Sequence, residues 1–421
     1  MNSAWREGNQ VQLLINGEGF YPAVFDSIRQ AKQQVLLETF IIFDDDVGKQ
    51  LRDALIQAAN NGAQVEIMVD GYGTAELGSD YIAGLTDAGI NVHMYDPRPR
   101  VMGYRTNIFR RLHRKIVVVD GKEAYVGGIN FGNDHLAAYG PKTKQDYAVR
   151  VVGPGVSDIH QASLDLFNLV PGAAQRMAPI PASEQPHAGD AAIQIAIRDN
   201  DQHKRDIEQQ YIDVIRGASQ RLSIANAYFY PGYHLLRELR RAARRGVKVT
   251  LILQGEPDMP WVRALGQLLY GYLIKDGVVI HEYCRRPLHG KVALVDDDWA
   301  SVGSSNLDPL SLSLNLEANV NIRDRQFTQD LYQHLTTLAA DQCQEITQET
   351  VLRGYWWRAP LAFIGYHFTR HFPAMTGLLP AHTPRLKPAS QSGLQSEQTL
   401  EQAQSADTPL STLSLDEESR R

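Results

Sequence analysis

The sequence predicts an α/β protein made of two pseudo-twofold-related α/β/α repeats, with mixed, largely parallel sheets and one active site at their interface. Three observations carry that expectation. The pattern His-x-Lys-x4-Asp-x6-Gly-[Gly/Ser]-x-Asn occurs at 113–130 and again at 289–306 with its spacing unchanged. Strand-like runs alternate with helix-length stretches around both copies. The order of those runs also repeats, so the duplication extends beyond the motif.

In chain order, "AKQQVLLETF" (31–40) begins a strand that follows a helix, and "ASQRLSIANAYF" (218–229) does the same. Each leads through a helix to a glycine-led strand, "NNGAQVEIMVDG" (60–71) or "RRGVKVTLILQG" (245–256). Each continues to "AGINVHMYD" (88–96) or "DGVVIHEYC" (276–284) and then to the motif. The copies differ most just before it, where the first carries the surplus stretch "PRPRVMGYRTNIFRR" (97–111). That stretch holds Arg98, Arg100, Arg105, Arg110 and Arg111 and no acid, a composition suited to anionic lipid. Boundaries follow as a first repeat at 1–170, a Pro/Ala/Gly-rich linker at 171–190 and a second repeat at 191–345. Next comes an aromatic, basic segment at 346–387, in which Leu361, Ile364, Phe368 and Phe372 share a helical face opposite His367, Arg370 and His371. Such a helix is expected to lie in a membrane interface. The tail at 388–421, rich in Ser, Gln and Glu, reads as disordered.

Composition narrows the function. The formal charge is −6, of which the tail contributes six acids and two arginines, leaving −2 for the rest. A near-neutral body argues against a general nucleic-acid binder. Two cysteines cannot form a disulfide framework, so a reducing compartment is expected. Cys284 reads as an unremarkable, partly buried thiol. No signal peptide and no span of eighteen apolar residues is visible, which points to a soluble or membrane-surface protein. The acidic triplets at 44–46 and 296–298 read as turn chemistry rather than a metal site.

The motif explains why a repeat is needed. Residues two apart on a strand face the same side, so His113 points with Lys115 and His289 with Lys291. Asp120-Gly121 is a hairpin signal, and the returning strand brings back Gly127, Gly128 and Asn130. Gly303, Ser304 and Asn306 return likewise. Each copy thus offers an imidazole, an ammonium and an amide on one patch. One histidine can attack phosphorus, but a second group must protonate the leaving alcohol. Two copies facing each other build both halves of one phosphodiester site, with fixed donors around the charged oxygens.

This doubled pattern resembles the phospholipase D superfamily. The neighbouring stretches "GSSNLDPLSLSLNLEANV" (303–320), "KQDYAVRVVGP" (144–154) and "ANAYFYPG" (225–232) resemble bacterial cardiolipin synthases, the B type most closely. The resemblance covers about residues 8–385. It implies a phospholipase D-like fold and a metal- and cofactor-independent transfer through a phosphohistidine. The implied catalytic set is His113, Lys115, Asp120, His289, Lys291 and Asp296, with Asp120 and Asp296 ending their strands in structural roles. His113 would be the nucleophile and His289 the general acid, then base, although the symmetry also allows the reverse order. Asn130, Asn306 and Ser304 would bind phosphate. Asp146 and Glu317 match the family's histidine-orienting carboxylates. The implied partners are phosphatidylglycerol and an anionic membrane surface, with no nucleic acid. The implied location is peripheral, on the cytoplasmic side of a bacterial cell membrane. Two departures stand out: Gly128 replaces a common serine, and Leu310 stands where many relatives carry arginine. The competing readings are a phosphodiesterase that hydrolyses phospholipid or nucleic acid, and a non-catalytic membrane scaffold.

Overall fold

The computed structural model describes residues 4–74, 77–97, 110–171, 176–256, 260–349 and 384–389, together with Pro360 and Ile364. Arg98, Arg100 and Arg105, the rest of the aromatic segment and the tail beyond 389 lie outside the described residues.

The first repeat runs β1 (Arg6–Ile15), α1 (Asn16–Gln30), β2 (Gln34–Thr39), α2 (Asp46–Asn60), β3 (Gln64–Asp70), α3 (Ser79–Asp87), β4 (Asn91–Tyr95), β5 (Ile116–Val119), β6 (Glu123–Gly127), β7 (Tyr147–Val152) and α4 (Val156–Phe167). The second runs β8 (Ala191–Arg198), α5 (Asp206–Gly217), β9 (Arg221–Asn226), α6 (Tyr233–Arg244), β10 (Lys248–Gln254), α7 (Pro260–Ile274), β11 (Val279–Tyr283), β12 (Lys291–Val295), β13 (Trp299–Gly303), α8 (Pro309–Ser313), β14 (Glu317–Arg323) and α9 (Arg325–Gln342). Two short 3-10 helices, Asn133–His135 and Ala137–Tyr139, lie between β6 and β7, and two short edge strands, β15 (Cys343–Glu345) and β16 (Leu386–Pro388), complete the described elements.

The sixteen described strands join in the order β15-β11-β10-β9-β12-β13-β14-β8-β1-β7-β6-β5-β2-β3-β4-β16. The order is a palindrome about the β8–β1 pair. That pair is antiparallel, as a twofold axis between two equivalent strands requires. Asn9, fully buried, pins the seam by donating to Ala191 O at 3.1 Å and accepting from Gly155 N at 2.7 Å.

The fold is the mixed α/β class expected, with a smaller parallel share than the alternating pattern suggests. Parallel pairing is confined to β2-β3-β4 and β9-β10-β11, the strands joined by crossover helices. The motif strands turn back as hairpins instead, so β5-β6-β7 and β12-β13-β14 are antiparallel. At the first hairpin Asp120 and Gly121 both take positive φ, 51° and 63°, the pair of left-handed residues that a tight type I′ turn needs. The acidic triplets do serve turns and caps. Asp45 caps α2 by accepting from Val47 N and Gly48 N at 3.0 Å, and Asp297 pairs with Arg221.

Apolar side chains gather in three cores among the described residues. One lies between α1–α3 and their strands, and a second between α5–α7 and theirs. The third is shared by both repeats. It takes Ile116, Val118 and Val126 from one and Val292, Leu294 and Val302 from the other, with α4 and α9 packed in. This shared core fixes the repeats relative to each other and so fixes the site at their junction. The linker stretch 176–190 straps the first repeat. Arg176 donates to the buried Glu66 at 2.6 Å, Glu66 also meets His93 Nε2 at 3.1 Å, and Gln185 donates to Gly121 O at 2.6 Å. Cys284, just past β11, is exposed rather than partly buried, because it follows the strand's last packed residue, Tyr283.

Candidate active site

The two histidines lie just upstream of their motif strands, in segments that cross between the repeats. Leu112 bridges Leu316, and Gln145 bridges Leu288. His113 N donates to Leu316 O at 2.9 Å, and His289 N donates to Gln145 O at 2.8 Å. The sequence pattern places both histidines in the motif strand itself. They fall outside it because their backbone donors are taken by the opposite repeat.

That crossing delivers the carboxylates. His113 Nδ1 meets Glu317 Oε2 of the second repeat at 3.0 Å, and His289 Nδ1 meets Asp146 Oδ2 of the first at 2.6 Å. Each imidazole is therefore oriented by the other repeat. Both carboxylates are fully buried, whereas each histidine side chain keeps 12% of its surface accessible. With Nδ1 engaged, Nε2 is the ring atom left for chemistry.

Lys115 Nζ donates to His113 O at 2.9 Å, and Lys291 Nζ likewise bonds His289 O. Both lysines are buried. Asn130 and Asn306 are also buried, and Asn130 Oδ1 has no hydrogen-bond partner among the described residues. Ser304 Oγ donates to Glu317 Oε2 at 2.5 Å, so this hydroxyl serves the carboxylate as placed. Asp120 and Asp296 are not brought to the histidines. They sit at the far ends of the motif strands and accept backbone N–H groups at the starts of β2 and β9. Asp120 Oδ1 takes Gln33 N and Gln34 N at 2.8 and 3.0 Å, and Asp296 Oδ1 takes Gln220 N and Arg221 N at 2.7 and 3.0 Å.

Electrostatics separate the two halves. Burial holds His113 down to about 4 against the pull of Glu317, and holds His289 well below its ordinary value with help from Lys291. Lys115 is pushed down to about 7, chiefly by burial. Glu317 stays below the ordinary carboxylate range, because His113, Lys115 and Ser304 outweigh the effect of burial. Burial wins at Asp146 and raises it to about 6.

Several neighbours escaped the sequence reading. The Phe40 ring walls His113 at 5.1 Å between centroids. The matching position, just past β9, is Ala227, so comparing repeats gives no signal there. Asp70 accepts from Leu112 N at 2.8 Å and fixes the segment entering His113. His135, fully buried, stands 5.8 Å from the His289 ring. Its counterpart five residues beyond Asn306 is Ser311, which hides it from the repeat comparison. At the C-terminal end of α8, the helix that carries Leu310, the buried Arg198 donates to Asn315 O at 2.6 Å and to Ser313 O, so a guanidinium does brace that end.

The ligand atoms of His135, Asp146 and His289 lie within 4.8 Å of one another. The 2.6 Å contact between His289 and Asp146 is shorter than the roughly 3.3 Å separating two ligands on one tetrahedral ion with bonds of about 2 Å. As placed, His289 and Asp146 form a hydrogen bond, and His135 Nδ1 stands 3.9 Å from the same carboxylate oxygen.

A family model described as cardiolipin synthase, PLD-like domain, matches residues 24–165 and 211–339, one motif in each segment. The chain belongs to this family. Cardiolipin synthase B of Escherichia coli K12 is 54% identical over 390 residues, covering 92% of this chain and 94% of that protein. Cardiolipin synthase B of Salmonella typhimurium is 53% identical over 387 residues, with the same coverage. Cardiolipin synthase A of Pseudomonas putida is 32% identical over 342 residues, 81% of this chain and 70% of that one. Among solved structures, phosphatidylserine synthase of Haemophilus influenzae shares the fold, with a TM-score of 0.64, 14% identity and coverage of 85% and 95%. The cardiolipin synthase family is thus the frame in which the doubled motif is to be understood.

Proposed function

We propose that this chain is a phosphatidyltransferase that makes cardiolipin and glycerol from two phosphatidylglycerol molecules. The observation that carries the reading is the pair of crossed imidazole–carboxylate hydrogen bonds, Glu317 to His113 and Asp146 to His289. Each leaves an Nε2 available, and each histidine depends on the repeat opposite. The similarity to cardiolipin synthases over 92% of the chain supports the same substrate class.

In the mechanism, the neutral Nε2 of His113 attacks the donor phosphorus, and the P–N bond forms as the P–O bond to glycerol breaks. The leaving oxygen takes a proton from His289. Entry of the anionic phosphodiester beside Lys115 and Lys291 favours the protonated state of His289 that this step needs. In the second step, neutral His289 removes the proton from a hydroxyl of the second phosphatidylglycerol. That oxygen attacks phosphorus and His113 leaves. Lys115, Lys291, Asn130 and Asn306 hold the non-bridging oxygens throughout. The firmly ionised Glu317 suits His113 as nucleophile, because a phosphohistidine ring is cationic and needs a fixed anion at Nδ1. Asp146, at about 6, suits a partner that gains and loses a proton each turnover. Asp120 and Asp296 belong to the framework. The repeats are bounded near 1–170 and 191–345, joined by the 171–190 strap.

The enzyme works at an anionic membrane surface as a peripheral protein on the cytoplasmic side. Among the described residues no helix is long and apolar enough to cross a membrane, and Arg111, stacked on Tyr72 at 4.0 Å, lies two residues from His113. The test is mass spectrometry of products from phosphatidylglycerol vesicles in the presence of EDTA. Cardiolipin and free glycerol are expected. Phosphatidic acid as the sole lipid product would replace this reading with hydrolysis.

A further inference from the structure

The two halves of the site hold their carboxylates differently. In the second repeat Glu317 accepts from His113 Nδ1 and from Ser304 Oγ, while Ala318 N donates to the same hydroxyl at 3.1 Å. In the first repeat the matching position is Gly128. A Cβ there would stand 2.3 Å from Asp146 Oδ1, so the shorter carboxylate fills the space a serine would need. Asp146 Oδ1 accepts from Tyr147 N at 2.9 Å and Oδ2 meets His289. The serine donor has no counterpart at position 128.

His135 stands where such a donor can come from. Asn130 N donates to His135 Nε2 at 3.4 Å, which makes Nε2 the acceptor and puts the ring proton on Nδ1. Burial holds this imidazole down to about 3, so the ring is neutral and carries that one proton. His135 Nδ1 is buried, has no hydrogen-bond partner among the described residues, and lies 3.9 Å from Asp146 Oδ2. A buried, unsatisfied donor is unfavourable, and the carboxylate is close enough to satisfy it after a shift of about 1 Å. Catalytic hydrogen bonds commonly tighten when substrate binds. The charged groups facing Asp146 and His289 are Lys115, Lys144 and Lys291. Asp134 stands 3.8 Å from His135 Nε2 and is held by Lys144 at 2.5 Å.

We propose that His135 is a positioning residue for His289, its Nδ1–H supplying to Asp146 the second donor that Ser304 supplies to Glu317. The contact closes when His289 becomes protonated and its hold on Asp146 is redistributed. The family pattern of two equivalent halves is thereby kept in function while its chemistry differs. The inference rests on the phosphatidyl-transfer reading of the site, and its test separates the two.

His135→Phe keeps ring volume without a donor. His135→Gln places its amide near the Nε2 position, keeping the Asn130 contact only. His135→Asn places its amide near the Nδ1 position and keeps the donor to Asp146. With phosphatidylglycerol vesicles, Phe and Gln are expected to lower kcat about tenfold, the rate equivalent of one hydrogen bond to a charged group. KM is expected to stay within about twofold and the acid limb of kcat to move to higher pH, because Asp146 loses a stabilising donor. Asn is expected to restore kcat to within about threefold and to return the limb. Histidine-selective 15N NMR of the wild-type protein should show His135 with its proton on Nδ1. Equal impairment of all three variants without a pH shift, a wild-type rate in His135→Phe, or an Nε2–H tautomer would each overturn the proposal. If the wild-type protein formed no cardiolipin, the transfer reading would fall. The tautomer, and the His289 titration compared between the Phe and Asn variants, would still decide the role of His135.

Discussion

Restoring the family's common serine at position 128 is expected to damage the enzyme. In Gly128→Ser the new Cβ would sit 2.3 Å from Asp146 Oδ1 and 2.9 Å from Oδ2. A Cβ essentially never stands closer than 3.0 Å to a non-bonded heavy atom, so the carboxylate must retreat by about 0.7 Å. Asp146 is tethered on both oxygens, by Tyr147 N and His289 Nδ1. A retreat of that size would stretch the 2.6 Å bond to His289 past 3 Å, beyond the range of a charge-assisted hydrogen bond. Losing such a bond costs about 1.5–3 kcal/mol, or about 10- to 100-fold in kcat. Cardiolipin formation on phosphatidylglycerol vesicles measures this, with KM and the melting temperature as controls. Gly128→Ala should be as harmful as Gly128→Ser, since the methylene is the common cause. A Gly128→Ser enzyme that folds and matches or exceeds the wild-type rate would refute the steric account of the asymmetry.

Three further outcomes are expected. His113→Ala and His289→Ala should each lower transfer by about 10²–10⁴-fold or more. A p-nitrophenyl phosphodiester, whose leaving group needs no proton, should recover a burst of p-nitrophenol in His289→Ala but not in His113→Ala; recovery in the opposite variant would exchange the two roles. The pH profile of kcat/KM should rise through about 4, where His113 loses its proton and becomes nucleophilic, decline as His289, held well below its ordinary value, loses the proton it must donate, and fall further through about 7, where Lys115 loses its charge. Lys115→Arg should abolish the limb near 7 and leave the His289 decline, since arginine stays charged. Asp120→Ala should act on stability, lowering the melting temperature by about 2–4 °C through loss of the carboxylate that accepts from Gln33 N and Gln34 N and through strain at φ 51°, and should leave kcat within about threefold.

Much of the architecture is local and therefore legible in the chain. The period of apolar residues marks the strands and helices, and Asp120-Gly121 marks its hairpin. The equal spacing of two motifs marks a duplication whose palindromic strand order follows from it. The share of parallel pairing is less legible, because strand direction depends on whether a helix or a tight turn joins each pair. Phe40, Asp70 and His135 escape for another reason. Each is an ordinary residue at the end of an element, and the second repeat has no like residue at the same place. Only folding sets Phe40 against His113 and His135 beside Asp146.

The sequence by itself led to the expectation that two imidazoles and two ammonium groups serve one site, because residue type and spacing are written along the chain; the two carboxylates were implied by the family resemblance. Only the tertiary structure decided which carboxylate serves which imidazole. Asp146 follows His113 by 33 positions in the same repeat, yet it holds His289, while Glu317 reaches back 204 positions to His113. The reason lies in the crossing segments. His113 gives its backbone N–H to Leu316 and His289 gives its own to Gln145, so the residue after each acceptor, Glu317 or Asp146, is delivered to the opposite ring. Pairing of that kind depends on backbone hydrogen bonds between distant segments, and no local pattern encodes them.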